Sequence, residues 1–250
     1  MKITNNDLKR FSKQIILKKI GVAGQKKLFA SKVLVIGAGG LGCPLILYLA
    51  NSGVGNIGIA DHDKVDLTNL NRQILFLPKD VGKSKVILAK KKIRDINKKI
   101  KIDIYKEKIT KKNIRNIIKK YDIICDGTDN FKTRYLINDY SLKYKKILIS
   151  AAISGFDGQI FNFDFKKNIP CFRCFMPKIP DQIINCENEG ILSTLAGIAG
   201  TLQSNEVIKT IINDKNKFKG SMLIFNALTL NFRKVKITKN KKCIKECLKR

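Results

Sequence analysis

Apolar and polar positions alternate in two textures along this chain, and the change between them falls near residue 150. In the first stretch, Lys32-Val-Leu-Val-Ile36 is a short unbroken apolar run of the kind that forms a strand buried on both faces. The loop Gly37-Ala-Gly-Gly-Leu-Gly42 follows, and then a predicted helix that accepts Pro44 in its first turn. Ile57-Gly-Ile-Ala60 predicts a second strand ending on Asp61. Val86, Ala89, Ile93, Ile96 and Ile100 recur at spacings of three and four, a stripe along one face of a helix. Ile102 and Ile104 alternate as a strand, and 121–125 and 146–150 predict two more around a helical stretch at 134–144. Strands that alternate with helices pair in parallel and carry helices on both faces, so the expected fold is α/β, a doubly wound Rossmann-like sheet. Residues 7–30 read as a helical arm with a turn at 21–24.

Beyond residue 150 the pattern turns antiparallel. Phe161, Phe163 and Phe165 alternate on one face of 158–165, which predicts a strand with its other side wet. A proline- and cysteine-bearing loop at 170–190 leads into 191–205, an uncharged stretch read as a buried helix. Residues 221–225 and 232–237 predict the last strands before a basic tail. The whole of 1–250 is expected to be one domain, with 1–30 as arm, 31–150 as a nucleotide-binding half and 151–250 as a second half continued by antiparallel strands. No internal repeat is present.

Charge changes this picture less than its size suggests. The formal net charge is +30, but 42 of the 50 basic residues are Lys, spread from Lys2 to Lys249. A selected nucleic-acid footprint clusters and uses Arg forks, so the surface reads as a solvated lysine coat and a nucleic-acid partner is not expected. Residues 33–60 carry no charge, yet seven glycines and Pro44 break the stretch into strand, loop and helix, which argues against a membrane span. The N-terminus shows no apolar leader, and the seven cysteines are an odd number, so a reducing cytoplasm and metal binding are expected before disulfides.

Candidate chemistry begins at the glycine loop. Gly37, Gly39 and Gly42 match G-x-G-x-x-G between a strand and a helix, and Asp61 follows at the end of the next strand. Glycines admit phosphate close to the backbone, the helix N-terminus offers N–H groups, and the carboxylate accepts from ribose hydroxyls. By itself this leaves dinucleotide and ATP binding open.

Three further segments narrow it: Asp61-His-Asp-Lys-Val-Asp-Leu-Thr-Asn-Leu-Asn-Arg-Gln73, Val81-Gly-Lys-Ser-Lys85 and Asp126-Gly-Thr-Asp-Asn130. Together they resemble the E1-like adenylyltransferases of the ThiF/MoeB/HesA family, and the resemblance runs from Arg10 to Lys209. It implies that ATP binds at Gly37, Gly39, Gly40, Gly42 and Asp61, that Asn69, Arg72, Gln73 and Lys85 surround the triphosphate, and that Asp129 holds Mg²⁺. It implies further that the C-terminal glycine carboxylate of a ubiquitin-like sulfur carrier ending in Gly-Gly is adenylated, with release of pyrophosphate, before thiocarboxylate formation. The thiazole branch of the family is the nearer match, the molybdopterin branch the alternative; a tRNA-modifying relative and a nicotinamide oxidoreductase stand further off. The chemistry suits the residues, because negative charge that builds at the α-phosphorus is neutralised by Arg72 and Lys85.

The same resemblance makes 151–250 the carrier-binding and zinc half and assigns the remaining candidates. Cys171 and Cys174, with Cys243 and Cys247, correspond to a four-cysteine Zn²⁺ site, although three residues rather than two separate the second pair. Cys186 corresponds to the thiol that links to the activated carrier, beside Glu187 and Glu189. Lys13 stands where the family carries the arm arginine that reaches a partner subunit's nucleotide, so a homodimer is implied while the planar fork is lost. A sulfur donor such as a cysteine desulfurase or sulfurtransferase is implied as well. Cys43 and Cys125 read as small buried residues, and His62 as a surface residue without a catalytic role.

Overall fold

The computed structural model describes residues 3–167, 169–178, 190–215, 217–240 and 243. Eight strands form one sheet in the order β3-β2-β1-β4-β5-β6-β7-β8. Here β1 is Lys32–Ile36, β2 Asn56–Ala60, β3 Lys101–Tyr105, β4 Ile123–Asp126, β5 Ile147–Ser154, β6 Asp157–Asp164, β7 Ser221–Asn226 and β8 Asn231–Lys236. The first five pair in parallel and the last three join antiparallel. The fold is therefore the expected doubly wound α/β sheet with an antiparallel continuation.

Period-two alternation distributes each strand between two cores. Val33, Val35, Ile57, Ile59, Ile123 and Cys125 face one side, where helices α3 (Gly21–Ala30), α4 (Gly42–Asn51), α5 (Lys85–Ile96) and the long α9 (Ser193–Ile211) contribute Leu28, Leu45, Ala89 and Ala199. Leu34, Ile36, Ile124 and Leu148 face the other, against α6 (Ile114–Ile118), α7 (Phe131–Lys143) and the short α8 (Phe172–Phe175). A strand with helices on both faces has no wet side, which is why the central strands read as continuous apolar runs.

Several local expectations are corrected. No turn interrupts 21–24, because α3 starts at Gly21 and runs on; Gly24 lies inside it, close to Ile20 and Ile212. The stripe from Val86 ends with α5 at Ile96, and Ile100 is buried in the turn beyond it. The aromatic strand β6 is dry on both sides: Phe161 and Phe163 enter one core, while Ile160 enters the other and Asn162 donates to buried Glu206. Helix α9 also extends six residues past the predicted end, to Ile211.

The arm comprises α1 (Asn5–Arg10) and α2 (Ser12–Ile15), capped by Thr4, whose hydroxyl and backbone N–H exchange bonds with Asp7. Asp7 also accepts from Lys99 Nζ at 2.8 Å, and Gln14 donates to Gln25 and to the Ser52 carbonyl. These contacts dock the arm on the sheet's flank. At the far edge, β8 presents Arg233, Lys234 and Lys236, charges that discourage edge-to-edge pairing. No helix is long and apolar enough among the described residues to cross a membrane.

Candidate nucleotide site

Strand order reverses between β1 and β4, and the crevice beyond their carboxyl ends is where open α/β sheets place ligands. A cleft of about 1070 Å³ opens there. Gly37, Gly39, Gly40, Asp61, Asn69, Arg72, Gln73, Lys85 and Asp129, all predicted from sequence, line it.

Gly37 and Gly42 are required by close backbone approaches, Gly40 is crowded by Ala196 and Arg72, and Gly39 leaves room. Gly37 has φ +95°, and a Cβ there would lie 2.8 Å from the Gly127 carbonyl oxygen. A Cβ on Gly42 would lie 2.0 Å from the Gly37 carbonyl oxygen, so this glycine lets α4 start directly under the loop. Gly42 does not line the cleft; its role is the close approach of backbone to backbone. Gly39 would meet nothing nearer than Gln73 Nε2 at 3.7 Å, which keeps the loop's open side free for a ligand. Asp61 accepts from the Ala38 N–H at 2.7 Å with one oxygen and from the Asp63 N–H at 2.8 Å with the other, tying the loop to the end of β2.

The next turns bring the cationic groups in. Asp66 caps a short 3₁₀ turn at Leu67–Asn69 by accepting from the Thr68 N–H and hydroxyl, which hold its carboxyl below the usual range. That turn presents Asn69, whose Oδ1 accepts from Gln73 Nε2 at 2.7 Å and faces Arg72 Nη2 at 3.4 Å. Arg72 also donates to the Thr68 carbonyl, and its aliphatic stem lies over Gly40. Gln73 Oε1 is buried without a partner among the described residues, an acceptor that a bound ligand can satisfy. Lys85, the first residue of α5, is 5% exposed and places Nζ 3.2 Å from Asp63 Oδ2. Asp129 is exposed at the opposite wall, ahead of Asn130, which caps α7 by accepting from the Thr133 N–H.

Beneath this wall lies a buried polar floor that the sequence reading missed. Asp126 accepts from Ser150 Oγ at 2.6 Å and Thr128 Oγ1 at 2.6 Å, and faces Arg134 Nε at 3.1 Å. Arg134 Nη2 donates to the carbonyls of Thr128 and Ala151, and Gln203 Nε2 to those of Asp126 and Ile149. The signal was an arginine in a helix whose neighbours Tyr135 and Ile137 are apolar; a lone cation on a core-facing turn calls for a buried anion.

Other candidates fall elsewhere. Lys13 is exposed on α2, outside this cleft. Cys186 and Cys247 lie outside the described residues. Cys43 and Cys125 are buried as expected, and burial pushes the Cys43 thiol up to about 12. His62 is about half exposed and lines the cleft, with Nε2 3.4 Å from Asp63 Oδ1.

A second cluster forms where α8 meets the tail. Cys171 Sγ lies 3.8 Å from Cys174 Sγ and 3.5 Å from Cys243 Sγ. Tetrahedral zinc with bonds of about 2.3 Å to sulfur sets its ligands about 3.8 Å apart, close to both of these separations, and all three thiols lie within 4.8 Å of one another. The Asn240 N–H donates to Cys174 Sγ at 3.4 Å, an outer contact of the kind that orients metal thiolates.

A model of the ThiF family matches residues 11–245. The chain belongs to this family. Among curated relatives, the chain is 42% identical over 238 residues to "Adenylyltransferase and sulfurtransferase MOCS3" of Culex quinquefasciatus, covering 94% of this chain and 54% of that protein. It is 45% identical to "Probable molybdopterin-synthase adenylyltransferase" of Porphyra purpurea, covering 91% and 60%. It is 35% identical to "Sulfur carrier protein adenylyltransferase" of Thermus thermophilus, covering 97% and 92%. The chain thus spans little more than half the length of the first of these relatives. The crystal structure of E. coli MccB with AMPCPP and MccA superposes with a TM-score of 0.80 over 95% of this chain and 73% of that one at 22% identity, a likeness of fold. The glycine loop, Arg72, Lys85 and Asp129 of this chain line one crevice.

Proposed function

We propose that this chain is an ATP-dependent adenylyltransferase of a ubiquitin-like sulfur carrier. The observation that carries the reading is the convergence of Arg72, Lys85 and Asp129 on the glycine-loop cleft, in a chain whose relatives bear adenylyltransferase names. ATP binds with its phosphates over the Gly37–Gly42 loop and its ribose at Asp61. The carrier's terminal glycine carboxylate attacks the α-phosphorus, an oxygen–phosphorus bond forms, and pyrophosphate leaves. Arg72 and Lys85 offset the charge that accumulates. Asp129 is the residue that would hold Mg²⁺, which supplies further neutralisation of the phosphates when bound.

The thiols of Cys171, Cys174 and Cys243 fit Zn²⁺ in spacing, and Cys247 is the proposed fourth ligand. With four thiolates the ion is structural and pins the tail to α8. Cys186 is the proposed acceptor of the activated carrier, a sulfur donor acts after adenylation, and the chain works as a cytoplasmic homodimer. The thiazole pathway is the proposed destination. A molybdopterin-type carrier is the second reading, supported by the name of the Porphyra purpurea relative.

ATP–pyrophosphate exchange decides among these. Zinc-loaded protein is assayed with a thiazole-type carrier and with a molybdopterin-type carrier. Exchange with the first alone supports the thiazole pathway, and exchange with the second alone supports the alternative. No exchange with either, from protein that binds ATP, rejects the sulfur-carrier reading.

A further inference from the structure

The geometry points to Asp63 as the positioning residue of Lys85, with His62 setting how firmly Asp63 holds it. This rests on the nucleotide-site reading above and goes beyond it. Lys85 is buried, and among the described residues its ammonium contacts the Asp63 carboxylate alone, at 3.2 Å. Its backbone N–H donates to the carbonyl of the same residue at 3.2 Å, so Asp63 grips Lys85 at both ends. A neighbouring backbone ladder makes the grip rigid: Val65 N–H to the Lys83 carbonyl and Gly82 N–H to the Val65 carbonyl, both at 2.9 Å.

The carboxylate is bidentate in use. Oδ2 faces Lys85, and Oδ1 faces His62 Nε2 at 3.4 Å. Other charged groups line the same cleft. Asp61 is held by two backbone N–H groups, Asp66 by Thr68, and Glu107 by Asn113 Nδ2; Lys64 and Lys108 also line the cleft. A neutral imidazole leaves the full carboxylate charge to Lys85. A protonated one shares it, loosens the ammonium and adds a cation to the cleft. Both effects favour the polyphosphate, so nucleotide binds more tightly when His62 is protonated than when it is neutral.

The test is calorimetric binding of ATP with Mg²⁺ to the full-length protein from about pH 8 to pH 5.5, the range over which histidine side chains in general change charge. Wild type is compared with His62→Gln, Asp63→Asn and the double variant. ATP's own titration is common to all four and cancels in the comparison. Exposed ion pairs of this kind are worth up to about 1 kcal/mol, so wild type gains about two- to fivefold more affinity on acidification than His62→Gln. In the Asp63→Asn background the effect of His62→Gln shrinks to what the imidazolium's own charge contributes. Identical pH profiles for wild type and His62→Gln overturn the proposal. An equal His62→Gln effect with and without the Asp63 carboxylate also overturns it, because His62 then acts on the ligand directly. Failure of folded wild type to bind ATP at any pH instead overturns the nucleotide reading, and this inference with it.

Discussion

The Arg134 guanidinium and the Asp126 carboxylate meet under the cleft floor, Nε to Oδ2 at 3.1 Å, with both side chains nearly free of solvent contact. Both belong to the segment that carries Asp129: Asp126 ends β4, and Arg134 sits on the second turn of α7. Arg134→Leu leaves a buried carboxylate without its cation, which costs about 3–5 kcal/mol. Urea unfolding measures the loss. Asp126→Leu combined with Arg134→Leu is expected to recover part of it, since the uncompensated charge is then gone; a double variant less stable than either single one contradicts the account.

Gly42 and Gly39 are two letters of one motif with different duties. Gly42→Ala drives a methyl into the Gly37 carbonyl, a backbone atom that cannot swing aside, and a stability loss of about 1–3 kcal/mol or more is expected. Gly39→Ala meets only ordinary contacts, so its melting temperature stays near wild type while ATP affinity falls, because the methyl stands where phosphate approaches. Paired thermal melts and ATP titrations separate the two effects.

Acid loosens the arm before it unfolds the sheet. Hydrogen bonds from Lys99 and Thr4 hold the Asp7 carboxyl down, at about 2 in the folded chain. A depressed folded pKa contributes stability above the unfolded value of about 3.9 and loses it as pH falls from about 4 towards 2. Hydrogen exchange in α1 and α2 is expected to accelerate over that window. Asp7→Asn should show fast exchange there already at neutral pH and no acid step; a step that persists in the variant assigns it to another group.

Cysteine reactivity distinguishes metal ligands from core residues. Metal-loaded protein is expected to hold one zinc, and chelation should open Cys174, the half-buried member of its cluster, to iodoacetamide. Cys43 and Cys125 stay unlabelled at pH 8 with or without the metal, since burial keeps both thiols protonated and out of reach. Mass spectrometry after alkylation reads each site. Equal labelling of Cys174 before and after chelation removes the metal reading.

Much of the site was legible because its parts are local. A glycine loop, an Asn-x-x-Arg-Gln turn and a lysine at a helix start each declare themselves within a few residues. Period-two runs such as Lys32–Ile36 announce buried strands with equal clarity. The dry second face of β6 was not legible, since Asn162 looks like a solvent residue until Glu206, distant in the chain, is brought beside it.

The sequence by itself determined the doubly wound sheet, most of the polar residues that line the cleft and the spacing of Cys171 to Cys174. Hydrophobic period and turn chemistry are short-range properties, and they act wherever the chain goes. Only the tertiary structure decided that Arg134 lies under the cleft, that Cys243 joins Cys171 across 72 residues, and that one carboxylate at Asp63 serves both His62 and Lys85. Those pairings depend on which strand ends and helix starts the sheet order brings together. Charges and thiols carry no periodic signal of their own, so their partners are fixed by packing rather than by pattern.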